Sequence, residues 1–180
     1  MADLKNLQKE LANLPDEWIA LVETSANKII NVNTACMKYF IDKNYTGIVL
    51  SASRPCTNLL KLYEENKIDK SKILVLCCVC TGESKQENVI HIGSETALTS
   101  MALAISKAFQ GVKGRKFLFI DSINTLLIHN EPNSLARFIH SVLTKMRQNN
   151  VSGLLISIEK DTNREVRSEI AQLCDKIIKV

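Results

Sequence analysis

The segment 116–122, KFLFIDS, constrains this chain more than any other, because four consecutive apolar residues are followed by an acid and a hydroxyl. An apolar run without polar alternation is typical of a strand buried on both faces, as in a parallel sheet between two layers of helices. Asp121 and Ser122 then lie at the carboxyl end of the strand, which is the edge where open α/β sheets bind ligands. The segment therefore predicts a sheet type and the place of a functional site.

Strand patterns alternate with helix patterns along nearly the whole chain. We predict strands at 17–23, 48–52, 73–80, 89–92, 117–121, 153–158 and 176–180. Helical periodicity separates most of them, at 33–43, from Pro55 onward, at 95–109, from Asn133 or Ser134 onward, and at 164–173. This alternation predicts an α/β fold with a mostly parallel central sheet flanked by helices on both faces, joined by right-handed crossovers.

The chain has 180 residues, which suits a single domain with one sizeable core. We predict an N-terminal amphipathic helix at 1–14 and one α/β domain at 15–180. In the helix, leucines recur every three or four residues, Asp3 is the candidate N-cap and Pro15 ends the pattern. The helix either packs on the edge of the domain or pairs with a second copy of the chain.

Composition excludes several functional classes. Hydrophobic residues make up 46% and charged residues 23%, and the net charge is +4 with no basic block, so a dedicated nucleic-acid surface is not expected. Aromatic residues are only 5%, too few for base-stacking platforms. The start lacks a signal-peptide pattern, and no apolar run reaches the roughly 18 residues of a membrane span. We therefore expect a cytoplasmic protein without membrane contact.

Six cysteines are present, and three of them (Cys77, Cys78 and Cys80) lie in or beside one strand-like run. Cys77 and Cys78 should point to opposite faces of the strand, so they cannot share a metal without distortion. No second Cys or His pair stands at zinc-site spacing. We predict no metal site, and reduced cysteines that act as small buried hydrophobic residues.

Two segments carry a family resemblance. The first is 117–127, FLFIDSINTLL, and the second is 174–180, CDKIIKV, which follows a long helix and the strand 153–158. In this order they resemble RecA-like ATPases, most closely the KaiC-type branch found widely in archaea, over about residues 15–180. The resemblance implies a three-layer RecA-like fold in which Asp121 ends the strand that holds a magnesium ion.

The phosphate-binding loop of that family is missing from this sequence. The segment in its place, 23–31, reads ETSANKIIN and contains no glycine, and no glycine occurs before Gly47. Such a loop needs glycines to wrap the phosphates and a hydroxyl after its lysine, but Lys28 is followed by isoleucine. Glu23 would repel a phosphate. The segment 51–55, SASRP, also lacks the carboxylate that the family uses to activate water. We therefore expect neither a bound cofactor nor ATP hydrolysis by the usual route.

Four residues are the candidates for a nucleotide contact if one exists: Asp121, Ser122, Lys28 and Arg54. Asp121 is either a magnesium ligand or, the reading we favour, an acid that caps a turn together with Ser122. Arg54 either binds an anion or a partner carboxylate, or makes an internal salt bridge. In the family, basic residues after the strand 153–158 can reach a neighbouring subunit's nucleotide. We expect Lys160, Arg164 and Arg167 to form a solvated face instead.

Three functions remain in order of preference. The first is a non-catalytic RecA/KaiC-like domain that acts as a protein-interaction or regulatory module, in archaeal signal transduction as the resemblance implies. The second is a nucleotide-binding protein or weak ATPase with a non-standard phosphate site. The third is DNA binding, which the modest charge disfavours. The first function implies a protein partner and leaves a homo-oligomer open.

Overall fold

The computed structural model describes residues 2–79, 87–158 and 163–180. Their strands form one seven-stranded sheet in which every pairing is parallel. In chain order the strands are β1 (Ile19–Thr24), β2 (Thr46–Ser51), β3 (Ile73–Cys77), β4 (Val89–His91), β5 (Lys116–Asp121), β6 (Ser152–Ile158) and β7 (Lys176–Lys179). In space their order is β4-β3-β2-β5-β6-β1-β7. The sheet thus places β5 at its centre.

Helices cover both faces of the sheet. They are α1 (Ala2–Ala12), α2 (Ile29–Asp42), α3 (Cys56–Glu65), α4 (Leu98–Gly111), α5 (Ile123–His129), α6 (Pro132–Gln148) and α7 (Arg164–Leu173), with a 3₁₀ turn at Lys70–Lys72. The first three helices share one buried cluster with the sheet, and the last four share another. The three-layer α/β/α architecture confirms the predicted fold class.

The central strand is buried on both faces, as its unbroken apolar run predicts. Phe117 and Phe119 point into the first cluster, and Leu118 and Ile120 point into the second. The Phe117 ring lies 5.2 Å from the Phe40 ring, centroid to centroid, within an aromatic group that also includes Trp18 and Tyr45. This packing joins α2 to the middle of the sheet.

Several predicted boundaries are wrong by a few residues. Helix α2 begins at Ile29, four residues before the predicted start, which shortens the preceding loop to 25–28. Helix α6 begins at Pro132 with Glu131 at its N-cap position, so neither Asn133 nor Ser134 caps it. Proline suits this first position because its missing N–H would have no helical partner there. Helix α1 begins at Ala2, so Asp3 is not its N-cap.

The N-terminal helix packs on its own chain. Leu7 and Leu11 are buried in the first cluster, and Lys176 Nζ lies 2.6 Å from Glu10 Oε2. The apolar face that would pair with a second copy is therefore covered within the molecule. Among the described residues, no helix is both long and apolar enough to cross a bilayer.

The acid before the last strand fixes the edge of the sheet. Asp175 accepts a hydrogen bond from the Ile19 backbone N–H at 2.7 Å and another from Arg147 Nη2 at 2.9 Å. It thereby links the start of β1, the start of β7 and the end of α6. This is the structural role of the "acid, then apolar strand" segment at 174–180.

The prediction of reduced cysteines is wrong at one described position. Cys77 is disulfide-bonded, whereas Cys36, Cys56, Cys78 and Cys174 are free. Cys36, Cys56 and Cys78 are buried, as expected of cysteines that pack as small hydrophobic residues. Cys80 lies outside the described residues.

Replacing Lys67 with glycine is expected to raise the free energy of unfolding by roughly 0.5–1 kcal/mol. Lys67 follows α3 with φ at 56°, a left-handed conformation that glycine adopts without steric cost. The helix-ending bonds use only backbone atoms, including Ile68 N–H to Tyr63 O at 2.9 Å, so the substitution preserves them. Urea denaturation measures the change.

Lys61→Gly is the matched control for this prediction, because Lys61 is an exposed lysine inside the same helix. It should lower the free energy of unfolding by about 1 kcal/mol. Equal destabilisation by both glycines would contradict the left-handed C-terminus of α3.

Candidate functional site

The carboxyl ends of β1, β2 and β5 meet on one edge of the sheet, which we call the carboxyl edge. The loop 25–28 leaves β1 there, and the turn at Ser53–Pro55 leaves β2. Ser51 is the register partner of Asp121 on β5, and Ser51 Oγ donates to Arg54 O at 2.9 Å. This bond holds the turn above the end of β5.

Asp121 is buried, with 2% of its surface exposed, and its carboxylate is occupied by donors of the same chain. Asn33 Nδ2, from α2, donates to Oδ1 at 2.7 Å. Ser53 Oγ donates to Oδ2 at 3.2 Å, and Arg54 Nε lies 3.9 Å from the same oxygen. Asp121 therefore ties α2 and the turn after β2 to the central strand. It does not cap a turn with Ser122, contrary to the preferred expectation.

Burial raises the pKa of Asp121 above its usual value of 3.8, and Arg54, Ser53 and Asn33 oppose this by stabilising the ionised form. The same charges act on Tyr63 of α3. Burial, and then the charge of Asp121, raise the pKa of Tyr63, while Arg54 lowers it. The carboxylate of Asp121 therefore lies in a low-dielectric region. Arg54 offsets only part of the cost of burying its negative charge.

Glu23 forms a second buried ionic group on this edge. Its residue exposure is 1%, and both of its oxygens contact Arg167 of α7, with Nε donating to Oε1 and Nη2 donating to Oε2 at 2.8 Å. Lys179 Nζ lies 3.9 Å from Oε2. Glu23 is the penultimate residue of β1 and not part of the loop. The expectation that Arg167 belongs to a solvated face is wrong.

The remaining candidates are placed as follows. Ser122 is buried at the N-cap position of α5, where its side chain makes no capping bond and its Oγ lies 3.4 Å from Thr125 Oγ1. Lys28 is half-buried at the N-cap position of α2, and its backbone N–H donates to Ser25 O at 3.0 Å. Arg164 is exposed, and Lys160 lies outside the described residues.

Sequence reasoning missed the partners of Asp121. Asn33 precedes Met37 and Phe40 by four and seven residues, so it lies on the apolar face of α2, where a polar residue is a signal in itself. Ser53 gave no such signal because it lies in an exposed turn. In the described residues, no group of three or more His, Cys, Asp or Glu side chains is arranged to hold a metal ion.

Two polar atoms near this site are buried without a hydrogen-bond partner among the described residues. They are Thr24 Oγ1, at the end of β1, and Asn33 Oδ1, whose own amide nitrogen binds Asp121. Buried polar groups nearly always find a partner, which is often an ordered water. The edge therefore has unused polar capacity next to the loop 25–28.

Comparison with known proteins identifies a sequence family and a fold. Residues 31–180 match the model of a family of unknown function, DUF7504. The KaiC-like protein PH0186 from the hyperthermophilic archaeon Pyrococcus horikoshii superposes with a TM-score of 0.66 and 11% identity, over 92% of this chain and 72% of that one. The uncharacterised protein PH0321 of the same organism, solved with an unknown peptide, superposes with a TM-score of 0.71 and 12% identity, over 97% and 82%.

At these identities the two structures establish a shared fold only, so the chain has a KaiC-like fold. No curated protein sequence matches it.

Proposed function

Because the chain belongs to DUF7504, a family of unknown function, we propose its role from the site: a non-catalytic KaiC-like domain that acts as a protein-interaction or regulatory module. In this proposal the setting is archaeal, cytoplasmic and in signal transduction, as the sequence resemblance implies. In this proposal the domain spans residues 15–180, and residues 1–14 form a helix that packs on it.

The occupied carboxylate of Asp121 is the observation that carries the proposal. A magnesium site needs carboxylate oxygens that face an open position beside a phosphate. Here Asn33 and Ser53 already donate to the two oxygens, and Arg54 supplies the nearby positive charge. The residues present therefore do not fit a magnesium–nucleotide complex of the family's usual kind. Protein donors take the positions that the ion would use.

The glycine-free loop supports the same proposal. The segment 23–31 offers no glycine whose backbone could wrap a phosphate, and Glu23 is used to hold α7. Arg167, one of the three basic residues that in the family can reach a neighbouring subunit, is engaged by that acid. In this proposal, residues at the positions of the family's phosphate site make contacts that stabilise the fold, which suits a domain that works by binding.

One observation favours a second candidate, nucleotide binding through a non-standard phosphate site. Thr24 Oγ1 and Asn33 Oδ1 are buried polar atoms without partners among the described residues, and both flank the loop that leaves β1. In this candidate Lys28, Arg54, Asp121 and Ser122 would contact the nucleotide.

Isothermal titration calorimetry with ATP and ADP, each with magnesium, separates the two candidates. The proposal expects no heat of binding at micromolar to millimolar nucleotide, and no phosphate release above a blank. Micromolar binding that disappears in Asp121→Asn would exclude the proposal and favour the second candidate. Lys61→Gln, an exposed lysine on α3, is the control for non-specific charge effects.

A further inference from the structure

A cavity of about 480 Å³ lies at the edge of the sheet opposite to the carboxyl edge, which we call the amino edge. It lies where four neighbouring strands (β2, β5, β6 and β1) begin. Its walls include Asp16 and Glu17 before β1, Tyr45 before β2, Arg115 and Lys116 at the start of β5, and Ser152 at the start of β6. Sites for small ligands have volumes of roughly 300–1,000 Å³, so the cavity is large enough for one.

Arg115 is held in place on one wall of this cavity. Its Nη2 donates to Tyr45 Oη at 2.8 Å, and its guanidinium carbon lies 4.5 Å from the centroid of the Tyr45 ring. Among the described residues no carboxylate forms an ion pair with Arg115, in contrast to Arg54 and Arg167. A guanidinium has five N–H donors in a planar fork that matches a carboxylate, and the bond to Tyr45 uses one of them. The other donors of Arg115 are open to a carboxylate from outside the chain.

The charges on the walls of the cavity balance. Asp16 and Glu17 are exposed, and neither forms an ion pair within the part of the chain that the structure describes. Lys116 Nζ donates to two carbonyl oxygens at the end of α4, Phe109 O at 2.8 Å and Val112 O at 2.6 Å. The two acids therefore face two cations, one of which is already used by the helix. Such a cavity has no excess charge for a simple anion or a simple cation, but it has a separate place for each sign.

Two further lysines lie near the cavity. Lys43 lines a neighbouring cavity together with Arg115, and burial and then the charge of Lys113 lower the pKa of Lys116. The carboxyl ends of α2, α4 and α6 lie at the same edge and carry the opposing, negative end of the helix dipole. An ammonium group at this edge is therefore favoured by the helix ends as well as by the two acids.

Ser152 offers a hydroxyl without a partner inside this cavity. The residue is 4% exposed, and among the described residues its Oγ makes no hydrogen bond. A hydroxyl can donate one hydrogen bond and accept two, and buried polar groups nearly always find a partner. A polar ligand in the cavity would supply that partner.

From this arrangement we propose that the amino-edge cavity binds a free amino acid, with its carboxylate on Arg115 and its ammonium group on Asp16 and Glu17. A phosphate or a nucleotide lacks the ammonium group, and a polyamine lacks the carboxylate. The site uses neither Asp121 nor Glu23, so it goes beyond the proposed function and adds a small-molecule signal to a regulatory domain.

Isothermal titration calorimetry of the full chain with each of the standard amino acids tests the proposal. At least one of them should bind with a millimolar or lower Kd. The N-acetyl form of that amino acid lacks the ammonium group and its amide form lacks the carboxylate, so each should bind about tenfold more weakly. Absence of binding by every amino acid, or equal binding of the three forms, would overturn the inference.

Arg115→Gln and Asp16→Asn should each weaken binding of the amino acid about tenfold. In Arg115→Gln the amide form should bind as well as the amino acid itself, because the carboxylate has lost its partner. The matched controls Arg137→Gln on α6 and Glu169→Gln on α7 remove exposed charges elsewhere and should leave the affinity unchanged. Circular dichroism checks that all four variants stay folded.

Equal losses in the controls, or an unchanged preference of Arg115→Gln for the free carboxylate, would contradict the proposed contacts. ATP binding that depends on Asp121 would exclude the proposed function but leave this site standing, so the two can fail separately.

Discussion

Replacing Arg167 with alanine is expected to lower the free energy of unfolding by about 3–5 kcal/mol, the typical cost of leaving a buried charge without its partner. Glu23 is almost fully buried, and Arg167 contacts both of its oxygens. Lys179 lies 3.9 Å away and is largely exposed, so it compensates only weakly. Chemical denaturation of the wild type and the variant measures the loss.

Arg164→Ala is the matched control for this loss. It removes an exposed arginine from the same helix, so its effect should stay within about 0.5 kcal/mol. Combining Arg167→Ala with Glu23→Gln removes the stranded charge and should recover part of the stability. Similar small losses in Arg164→Ala and Arg167→Ala would show that the ion pair contributes little and that α7 is held by Val166 and Ile170 alone.

The order of elements could be predicted from the sequence because each buried strand is a nearly continuous apolar run. The run at 117–121 gave the central strand, and the helix at 164–173 coincides with α7 to the residue. The predicted helix starts were wrong where no side-chain cap marks the start of the helix. Helix α2 begins after Lys28, whose side chain makes no capping hydrogen bond, so its early start gave no signal.

The site was predictable only in part. Asp121 and Arg54 were expected at one edge, and the structure brings them together. The pairing of Glu23 with Arg167 could not be anticipated, because the two residues are 144 positions apart and only the β1–α7 packing joins them. Ion pairs of this kind follow from tertiary geometry and not from local pattern. Glu23 is therefore an anchor of the fold and not a repulsive loop residue.

The two buried acids have one property in common. Each lies at or next to the carboxyl end of a strand, and each is bound by side chains from a distant element: Glu23 by α7, and Asp121 by α2 and the turn after β2. The carboxylate oxygens of both acids thus accept hydrogen bonds from within the chain. An edge built in this way can present a fixed surface to a partner.

Asp121→Ala is expected to be less stable than Asp121→Asn by about 2 kcal/mol, because alanine leaves the buried Asn33 amide without an acceptor. Asparagine keeps an oxygen for that amide and an NH₂ group for Ser53, so the contacts at 2.7 and 3.2 Å have replacements. Urea denaturation of both variants measures the difference. Equal stabilities would contradict the hydrogen-bond network around Asp121.

The raised pKa of Asp121 predicts that the stability of the protein depends on pH. Since burial raises the pKa of Asp121 above 3.8, the folded chain holds this proton to higher pH than the unfolded chain. The contribution of Asp121 to stability is therefore greatest at acidic pH and falls as pH rises through the raised pKa. Asp121→Asn lacks that fall, so its stability relative to wild type should increase from about pH 4 to neutral pH. A constant difference across this range would show that Asp121 has an ordinary pKa.

Thermal melting in the presence of magnesium and ATP is a further test of the contacts around Asp121. If internal donors replace the ion, millimolar magnesium with ATP should leave the melting temperature of the wild type and of Asp121→Asn unchanged. A stabilisation of the wild type alone would instead place a ligand on the carboxylate, because a ligand that binds only the folded chain raises its stability by mass action. Asn33 and Ser53 would then have to release Asp121 on binding, and the network would be a resting state of a nucleotide site.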